Sequence, residues 1–312
     1  MIKSDRLLGA LRPRNARIPP PVTLRTGIAM KTRLAAEIER NVATALAEDI
    51  GSGDLTAQLV HADAIGEACV ISREDAVLCG TEWFESCFRT LDPAIVIDWK
   101  ALDGDPIVPG QRLCEIRGNA RAMLTAERSA LNFLQLLSGV ASKARQYADA
   151  VKGTRAQVVD TRKTLPGLRL AQKYAVKCGG GDNHRLGLYD GILIKENHIL
   201  AAGGIAAALT AAGMIAATAG GRCQFIQVEV ETLDQLQLAL EVGAKMILLD
   251  NMSLDEMRTA VRITNGRATL EASGNVNLES VRRIAETGVD RISIGGLTKD
   301  VRALDLSLRF KD

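Results

Sequence analysis

A short repeated pattern decides the fold, and residues 240–250 show it in full: Leu-Glu-Val-Gly-Ala-Lys-Met-Ile-Leu-Leu-Asp. A helical stretch ends at a glycine, a short apolar run follows, and a polar residue closes the run. This order is typical of α/β proteins, in which glycine ends a helix and a buried strand comes next. The pattern recurs around the glycines at positions 153, 266 and 288, and two more apolar runs occupy residues 191–195 and 225–231.

This repetition predicts an α/β domain over residues 139–298. Six or seven such units in about 150 residues favour an incomplete TIM-like α/β barrel, one strand short of a full ring. An open doubly wound sheet is the alternative, although no Gly-x-Gly-x-x-Gly motif opens the series.

Residues 30–138 follow a different pattern, which predicts a smaller N-terminal α+β sandwich domain. Apolar residues at helical spacing predict a helix from Thr32 to about Glu48, and a second helix is expected near residues 82–91. Short apolar runs predict the strands of a mainly antiparallel sheet: residues 68–71, 76–79, 94–99 and 112–116. We expect the last segment, residues 299–312, to pack back on this domain.

A long helical stretch from Asn119 to about Lys152 joins the two parts. The sequence is compatible with a continuous helix and with one that breaks at Gly139. Apolar residues cover most of its circumference, so the helix is expected to be buried. One stripe is polar and is expected to face a partner or a ligand: Arg121, Thr125, Arg128, Asn132 and Gln135.

Composition limits the classes of function. The 312 residues carry 39 Lys and Arg against 37 Asp and Glu, and a net charge of +2 gives no bulk electrostatic case for nucleic acid. No uncharged run reaches membrane-spanning length. The six cysteines form no Cys-x-x-Cys pair, which indicates buried thiols in a reducing, cytoplasmic compartment.

Residues 1–29 are basic, with Lys and Arg opposed only by Asp5, and they contain a run of three prolines. These features favour a disordered basic extension, or an upstream start ahead of Met30, because proline clusters oppose an amphipathic helix. An Arg-rich organellar transit peptide is the alternative.

Charged and polar residues stand where the predicted strands end. The carboxyl ends of barrel strands meet at one mouth, so we expect these residues to converge: Arg162, Lys163, Lys195, Glu229, Glu231, Asp250, Glu271, Ser273 and Gly295. Cations suit carboxylates and phosphates, while carboxylates suit ribose hydroxyls or Mg²⁺. Single members have structural alternatives: Asp250 could cap a helix, and Glu229 could pair with a neighbouring lysine.

Three polar stretches and two glycine loops strengthen this prediction. The stretches are Asp-Thr-Arg-Lys-Thr at 160–164, Cys-Gly-Gly-Gly-Asp-Asn-His-Arg at 178–185, and Lys-Glu-Asn-His at 195–198. The glycine loops, residues 272–275 and 294–298, follow the last two strands, which is the common phosphate position of barrels. Together they predict an enzyme for a small, multiply negative substrate, with His184 facing the ligand.

From about Glu37 to Phe310 the chain resembles the quinolinate phosphoribosyltransferase family, the decarboxylating nicotinate-nucleotide pyrophosphorylases. The motifs that carry the resemblance are long: residues 48–56, 127–135, 160–169, 178–185, 195–199, 228–231, 249–252, 271–275 and 293–298. The resemblance implies a small N-terminal sandwich, an incomplete barrel, and a homodimer whose partner closes each active site.

The resemblance also implies a role for each matching residue. Arg162, His184 and Arg185 would bind the two carboxylates of quinolinate, and Arg128 would reach in from the adjoining subunit. The catalytic group would be Lys163, Lys195, Glu229 and Asp250, whose two carboxylates would hold ribose hydroxyls or Mg²⁺. The other substrate-binding residues would be Thr161 and the phosphate cradle: Ser273, Gly274, Asn275, Gly295 and Gly296.

The implied reaction joins quinolinate to phosphoribosyl pyrophosphate and yields nicotinate mononucleotide, pyrophosphate and CO₂, with no nucleic-acid or membrane partner. The chain has Lys299-Asp300 where the family usually has His-Ser, a change expected to matter little because it follows the phosphate loop. The alternatives are a family member that acts on another base, a Schiff-base barrel enzyme with Lys195 as nucleophile, and a protein that binds nucleic acid through residues 1–29.

Overall fold

A computed structural model describes residues 27–311 of the chain and their side chains from residue 32. The helices are α1 Gly27–Ile50, α2 Thr81–Leu91, α3 Ala120–Ala150, α4 Arg169–Cys178, α5 Glu196–Ala202, α6 Ile205–Thr218, α7 Leu233–Glu241, α8 Leu254–Thr264, α9 Leu278–Ala285 and α10 Gly296–Lys299. The strands are β1 Ile65–Ser72, β2 Ala76–Val77, β3 Val96–Trp99, β4 Pro106–Ile107, β5 Arg112–Asn119, β6 Gln157–Val159, β7 Ile192–Ile194, β8 Ile226–Val230, β9 Met246–Asp250, β10 Thr269–Ser273, β11 Arg291–Ser293 and β12 Leu306–Phe310.

The N-terminal part is an antiparallel sheet covered by helices. Its strand order is β12-β1-β5-β3, so the last strand of the chain returns to pair with the first, with Val70 opposite Leu308. Helix α2 contacts this sheet through the ring of Phe84, which lies against Trp99 of β3, whereas Trp83 donates to Oδ1 of Asn41 in α1 and packs on Tyr174 of α4. The predicted extension overlaps α1, because residues 27–29 are helical; residues 1–26 lie outside the described residues.

Helix α3 runs unbroken for 31 residues, so no break occurs at Gly139. The predicted boundary between residues 138 and 139 lies inside this helix, which packs against elements of both parts. Gly139 is needed for a close approach: a Cβ there would lie 2.1 Å from the carbonyl oxygen of Arg302. The C-terminal segment therefore crosses α3 at the one position that lacks a side chain.

The second sheet is parallel and forms an incomplete barrel, as predicted. Its strand order is β6-β11-β10-β9-β8-β7, so the first strand of the series pairs with the last. On the other side of β6, Val159 forms a single parallel bridge with Asp182. The ring stays open between that bridge and β7, where residues 183–191 are irregular. Backbone N–H groups of this segment are satisfied locally, since Asp190 accepts from Leu186 and Gly187 at 2.8 and 2.9 Å.

Apolar helices raise the question of a membrane. Within residues 27–311 no single helix is long and apolar enough to cross a bilayer. The bent pair α5 and α6 meets the criterion by length and composition only, with 94° between the two helices.

Candidate active site

A cleft of about 1060 Å³ lies at the carboxyl ends of the parallel strands. Parallel register brings these ends together; for example, Asp250 of β9 lies beside Ser273 of β10. Every predicted site residue except Arg128 lines this cleft: Thr161, Arg162, Lys163, His184, Arg185, Lys195, Glu229, Asp250, Ser273, Gly274, Asn275, Gly295 and Gly296. Glu271 also lines it, whereas Glu231, predicted at the end of β8, does not.

Arg162 and Arg185 form a cationic pair at the open side of the barrel. The Nε of Arg162 is buried and has no hydrogen-bond partner among the described residues, whereas Arg185 donates from Nη1 to the carbonyl of Gly191 at 2.9 Å. Burial and then the positive charge of Arg162 lower the pKa of Arg185, and Asp190 opposes this shift. Two close guanidinium groups with an unsatisfied N–H are a site for a carboxylate.

His184 lies next to this pair, but both of its ring nitrogens already have protein partners. Its Nδ1 accepts from the backbone N–H of Arg185 at 2.8 Å, so Nε2 carries the proton and donates to Oε1 of Gln227 at 2.8 Å. The side chain is buried, and desolvation lowers the pKa of His184, which keeps the ring neutral at pH 7. A substrate contact by His184 must therefore share Nε2 with Gln227, or be an apolar contact with the ring.

A fully buried ion pair supports this side of the cleft. Lys173 of α4 pairs with Asp160 at the end of β6, and both side chains are 0% exposed. Oδ1 of Asp160 also accepts from the N–H of His184 at 2.9 Å, and Nζ of Lys173 donates to the carbonyl of His184 at 3.0 Å. Burial raises the pKa of Asp160 to about 6 and lowers that of Lys173. The pair thus fixes the backbone that presents His184 and Arg185.

Arg169, the last residue of the 160–169 motif, supports the same wall of the cleft from α4. It donates to Oγ1 of Thr164 at 3.1 Å and to the carbonyl of Arg162 at 3.3 Å. A third bond reaches the carbonyl of Leu186 at 3.2 Å. Neither Lys173 nor Arg169 was predicted as a site residue. Arg169 belongs to the 160–169 motif, whereas no local sequence pattern marks Lys173.

A second wall of the cleft, at the ends of β8 and β9, carries carboxylates. Nζ of Lys195 lies 3.0 Å from Oε2 of Glu229, so the structural alternative for Glu229, pairing with a nearby lysine, is correct as geometry. Burial raises the pKa of Glu229, Lys195 lowers it, and the charge of Asp250 raises it again. Asp250 does not cap α8, because the N-cap is Ser253; it accepts instead from Nδ2 of Asn251 at 2.9 Å.

The two glycine loops of the predicted phosphate cradle differ in how strictly they require glycine. Gly274 has φ +103°, and a Cβ there would lie 2.1 Å from Oδ1 of Asn251. At Gly295 a Cβ would lie 2.9 Å from Cδ of Lys163, so the absence of a side chain allows Lys163 to lie across the loop. The second loop leads only into the four-residue helix α10, so its anion-binding capacity comes mainly from Lys163 and nearby N–H groups.

Arg128 lies on α3 outside the cleft. It is exposed and forms no ion pair with any of the side chains described for residues 32–311. The expectation for the rest of the polar stripe is wrong in part, because Arg121 donates to the carbonyl of Val60 and Thr125 donates to Oδ2 of Asp54 at 2.9 Å. These bonds hold the loop after α1 on the helix. Gln135 also donates to the carbonyl of Leu306 at 3.5 Å, so three of the five stripe residues face this chain itself.

The cleft is also lined by residues that were not predicted as site residues, among them Lys143, Tyr147, Lys299 and Asp300. Nζ of Lys143 donates to the carbonyl of Asp300 at 2.8 Å, and a Cβ at Gly296 would lie 3.2 Å from Oδ2 of Asp300. Lys299 and Asp300 follow the phosphate loop but also line the cleft, and the expectation that this change matters little stays a prediction. In all, the cleft has six Lys or Arg side chains and four carboxylates.

The fold and the cleft define a class: an α/β-barrel enzyme whose site is arranged for a small, multiply negative, phosphorylated substrate. Arg162 and Arg185 form its cationic wall, Glu229 and Asp250 form its carboxylate wall, and the two glycine loops line the same cleft.

Comparisons with known proteins identify the family. The family described as quinolinate phosphoribosyl transferase, C-terminal domain, matches residues 140–309, and its N-terminal domain matches residues 54–138. The chain therefore belongs to the quinolinate phosphoribosyltransferase family.

Individual relatives agree with this assignment. A Bacillus subtilis (strain 168) protein named probable nicotinate-nucleotide pyrophosphorylase (carboxylating) is 41% identical over 261 residues, which are 84% of this chain and 89% of that protein. A mitochondrial quinolinate phosphoribosyltransferase (decarboxylating) of Nicotiana glauca is 39% identical over 284 residues, covering 85% of this chain and 80% of that protein. The solved nicotinate-nucleotide pyrophosphorylase of Francisella tularensis has a TM-score of 0.85 and 44% identity over 88% of this chain and 96% of that chain.

Proposed function

We propose that this protein transfers the phosphoribosyl group of phosphoribosyl pyrophosphate to quinolinate with decarboxylation, yielding nicotinate mononucleotide, pyrophosphate and CO₂. The relatives named above are pyrophosphorylases or phosphoribosyltransferases of this kind. The observation that carries the proposal is the adjacent pair Arg162 and Arg185, with a buried N–H that no side chain of residues 32–311 satisfies.

Quinolinate carries two adjacent carboxylates, and the cationic wall matches them. Arg162 and Arg185 offer planar N–H donors, and such charge-assisted bonds are the strong kind. The buried pair Asp160 and Lys173 holds the backbone of His184 and Arg185 before the substrate arrives, which lowers the cost of ordering on binding. A monocarboxylate such as nicotinate would leave one of these cationic contacts unused.

The carboxylate wall suits the sugar and its metal. Glu229 and Asp250 are close enough for the charge of Asp250 to raise the pKa of Glu229, and their oxygens fit Mg²⁺, which proteins commonly hold through one or two carboxylates plus substrate phosphates. When bound, Mg²⁺ neutralises charge on the departing pyrophosphate. Glu229 and Asp250 also stabilise the positive charge that develops on the ribose as its bond to pyrophosphate breaks.

The chemistry then needs orientation more than acid–base catalysis. The ring nitrogen of quinolinate forms the new bond to the ribose carbon, and the electron pair of the broken C–O bond leaves with pyrophosphate. The positive ring nitrogen stabilises the electron pair left on the ring when CO₂ departs, and a proton replaces that CO₂. Lys163, held across Gly295, and Lys195 place ammonium groups beside the reacting atoms.

A Schiff-base role for Lys195 is disfavoured by its partner. An amine needs a free lone pair to attack a carbonyl, whereas Nζ of Lys195 is engaged by the carboxylate of Glu229, 3.0 Å away.

The proposal includes a homodimer in which Arg128 completes the neighbouring active site. Arg128 is exposed on α3, and the loop held on the same helix exposes Leu55 and Leu59, which are 82% and 86% accessible. Leu124 of α3 is also exposed. A charged group beside apolar side chains in water is typical of a surface that another subunit covers.

Cytoplasmic localisation is likewise part of the proposal, and it depends on the sequence of residues 1–29. Relatives in plants carry mitochondrial or chloroplastic names, so a fusion of residues 1–29 to a fluorescent reporter would decide between the two readings.

The proposed activity is tested by assaying CO₂ release from quinolinate with and without phosphoribosyl pyrophosphate. Release that depends on both substrates and on Mg²⁺ supports the assignment. Product formation from nicotinate, without CO₂, would show a family member that acts on another base. No reaction with either base would refute the proposal.

A further inference from the structure

Two thiols and a carboxylate meet where the N-terminal part of the chain packs on the barrel, away from the cleft. Cys79 follows β2, Asp103 lies between β3 and β4, and Cys178 is the last residue of α4. Their ligand atoms all lie within 4.8 Å of one another. Within the described part of the chain, no other trio of His, Cys, Asp or Glu donors is so close.

The carboxylate of this cluster is held in place by hydrogen bonds. Oδ1 of Asp103 accepts from the N–H groups of Gly80 and Thr81 at 3.1 and 3.2 Å. Oδ2 accepts from the same N–H of Gly80 at 3.0 Å and from the hydroxyl of Tyr174 at 2.8 Å. The N–H of Gly80 is shared between the two oxygens, so three donors fix the orientation of this carboxylate. Bonds of this kind orient a metal ligand from the second shell of atoms.

Both cysteines are also fixed at their backbones. Ser138 of α3 accepts from the N–H of Cys79 at 2.9 Å and donates to the carbonyl of Cys79 at 3.1 Å. Arg145 donates to the carbonyls of Cys178 and Gly179 at 3.3 and 3.0 Å. Cys79 is fully buried, while Cys178 is partly exposed and provides a way in from solvent. The two sulfur atoms are therefore positioned in advance.

We propose that Cys79, Cys178 and Asp103 bind a thiophilic divalent cation of the zinc class, with water as the fourth ligand. Two sulfurs and one oxygen in a compact group suit tetrahedral Zn²⁺ or Cd²⁺, whereas Mg²⁺ and Ca²⁺ prefer oxygen ligands only. Binding replaces the two thiol protons with metal–sulfur bonds and releases those two protons to solvent. No electron is transferred.

The electrostatic surroundings favour a cation at Cys178 but oppose deprotonation of the buried Cys79 thiol. Cys178 ends α4, where the negative end of the helix dipole favours a cation. Burial raises the pKa of Cys79 well above that of a free thiol, and the hydrogen bond from Cys79 is the main cause that lowers the pKa of Cys178. A bound cation would take the place of the thiol protons. It would also join β2 and the β3–β4 loop to α4, the helix that carries Lys173 and Arg169, so its effect is on stability.

The test uses the reduced full-length protein after EDTA treatment and titrates it with Co²⁺. Thiolate coordination gives a charge-transfer absorption in the near ultraviolet, which a site of oxygen ligands such as Glu229 and Asp250 does not give. We expect one Co²⁺ per chain, about two protons released per ion, displacement by Zn²⁺, and a rise in the unfolding temperature.

Variants locate the site. Cys178→Ser should abolish the absorption, and Asp103→Asn should weaken Co²⁺ binding about tenfold or more. Cys223→Ser is the matched control, because Cys223 is also half-buried but donates to the carbonyl of Phe225 at 3.3 Å in another part of the barrel. An absence of charge-transfer absorption in the wild type overturns the proposal. So does an absorption that survives in Cys178→Ser or disappears in Cys223→Ser. Cys178 is partly exposed, so this variant should fold even if Cys79→Ser does not.

Discussion

Two lysine–carboxylate pairs differ in their contact with water: Lys173 and Asp160 lie behind the lining of the cleft, whereas Lys195 and Glu229 line it. Lys173 and Asp160 are both 0% exposed, whereas the side chain of Lys195 is 47% exposed and that of Glu229 is 9% exposed. The buried pair also binds the backbone of His184 on both sides. The open pair has its ammonium group in the cleft, where a substrate can replace either partner.

This difference indicates that the buried pair maintains the shape of the site, whereas the open pair can take part in the reaction. A buried pair is costly to form and more costly to break, so it keeps one arrangement. A half-exposed pair contributes little to stability and can exchange partners at low cost. We infer that the Asp160–Lys173 side pre-forms the binding wall for the carboxylates of quinolinate, while the Glu229–Lys195 side responds to the reacting sugar.

The largest expected effect is on stability, from breaking the buried pair. Lys173→Met should lower the free energy of unfolding by about 3–5 kcal/mol, because it leaves the carboxylate of Asp160 buried without its partner. Urea unfolding at pH 7 measures the change. Lys177→Met is the matched control on the same helix: Lys177 pairs with Asp182 at 2.8 Å but is half exposed, so the cost should stay within about 1 kcal/mol. Equal losses in the two variants would refute the distinction between the walls.

The open pair should show the reverse behaviour. Glu229→Gln should lower kcat about 100-fold, because it removes negative charge beside the developing ribose cation, while the free energy of unfolding should change far less than in Lys173→Met. Steady-state kinetics and urea unfolding of the same preparation give both numbers. A variant with unchanged kcat and a large stability loss would make Glu229 a structural residue.

The cationic wall should show its effect in substrate binding. Arg162→Ala should lower kcat/KM for quinolinate roughly 10- to 150-fold, because it removes charge-assisted hydrogen bonds to a carboxylate. This corresponds to a loss of about 1.5–3 kcal/mol of transition-state stabilisation. Arg162→Lys keeps the charge but loses the planar donors, so it should recover only part of the activity. The KM for phosphoribosyl pyrophosphate should change little. A wild-type kcat/KM for quinolinate in Arg162→Ala would contradict the assignment.

Parallel β-structure explains why so much of the cleft was predictable. The alternation of glycine, apolar run and polar residue fixes where each strand ends, and parallel pairing brings those ends to one edge, as it does for Asp250 and Ser273. Lys163, Lys195 and Glu229 follow from this rule alone. Their placement required no knowledge of how the helices pack.

Residues that reach the site from helices could not be predicted in this way. Lys173 and Lys143 have no local pattern, because their contacts with Asp160 and with the carbonyl of Asp300 depend on how α4 and α3 lie across the barrel. Lys299 and Asp300 follow the phosphate loop in the sequence, and only the tertiary structure shows that they also line the cleft. The partners of the His184 ring, Gln227 and the N–H of Arg185, likewise depend on tertiary structure.

A smaller effect is expected from mixing subunits, which tests whether the cationic wall is complete in one chain. Arg128→Ala and Lys163→Ala should each be inactive alone. If Arg128 acts in the neighbouring site, random mixed dimers should recover about a quarter of the wild-type active sites, because half of the dimers are mixed and each of these has one intact site. Activity of the re-associated mixture measures this. No recovery in mixed dimers verified by mass spectrometry would place the function of Arg128 in its own subunit.

The smallest effect is a pH dependence that arises on the buried side. Burial lowers the pKa of His184 below its value in the unfolded chain, so the unfolded state binds a proton first as the pH falls. The stability from neutral His184 is therefore fully present above about pH 6.5 and is lost as the pH falls towards the lowered folded pKa, at no more than about 1.4 kcal/mol per pH unit. Urea unfolding between pH 7.5 and 6 should show this slope, and His184→Gln should reduce it. Comparison of the two proteins removes the contributions of other groups, because Asp160 titrates in both near pH 6. An equal slope in wild type and variant would mean that His184 keeps an ordinary pKa, and the buried wall would then be more open to water than its geometry indicates.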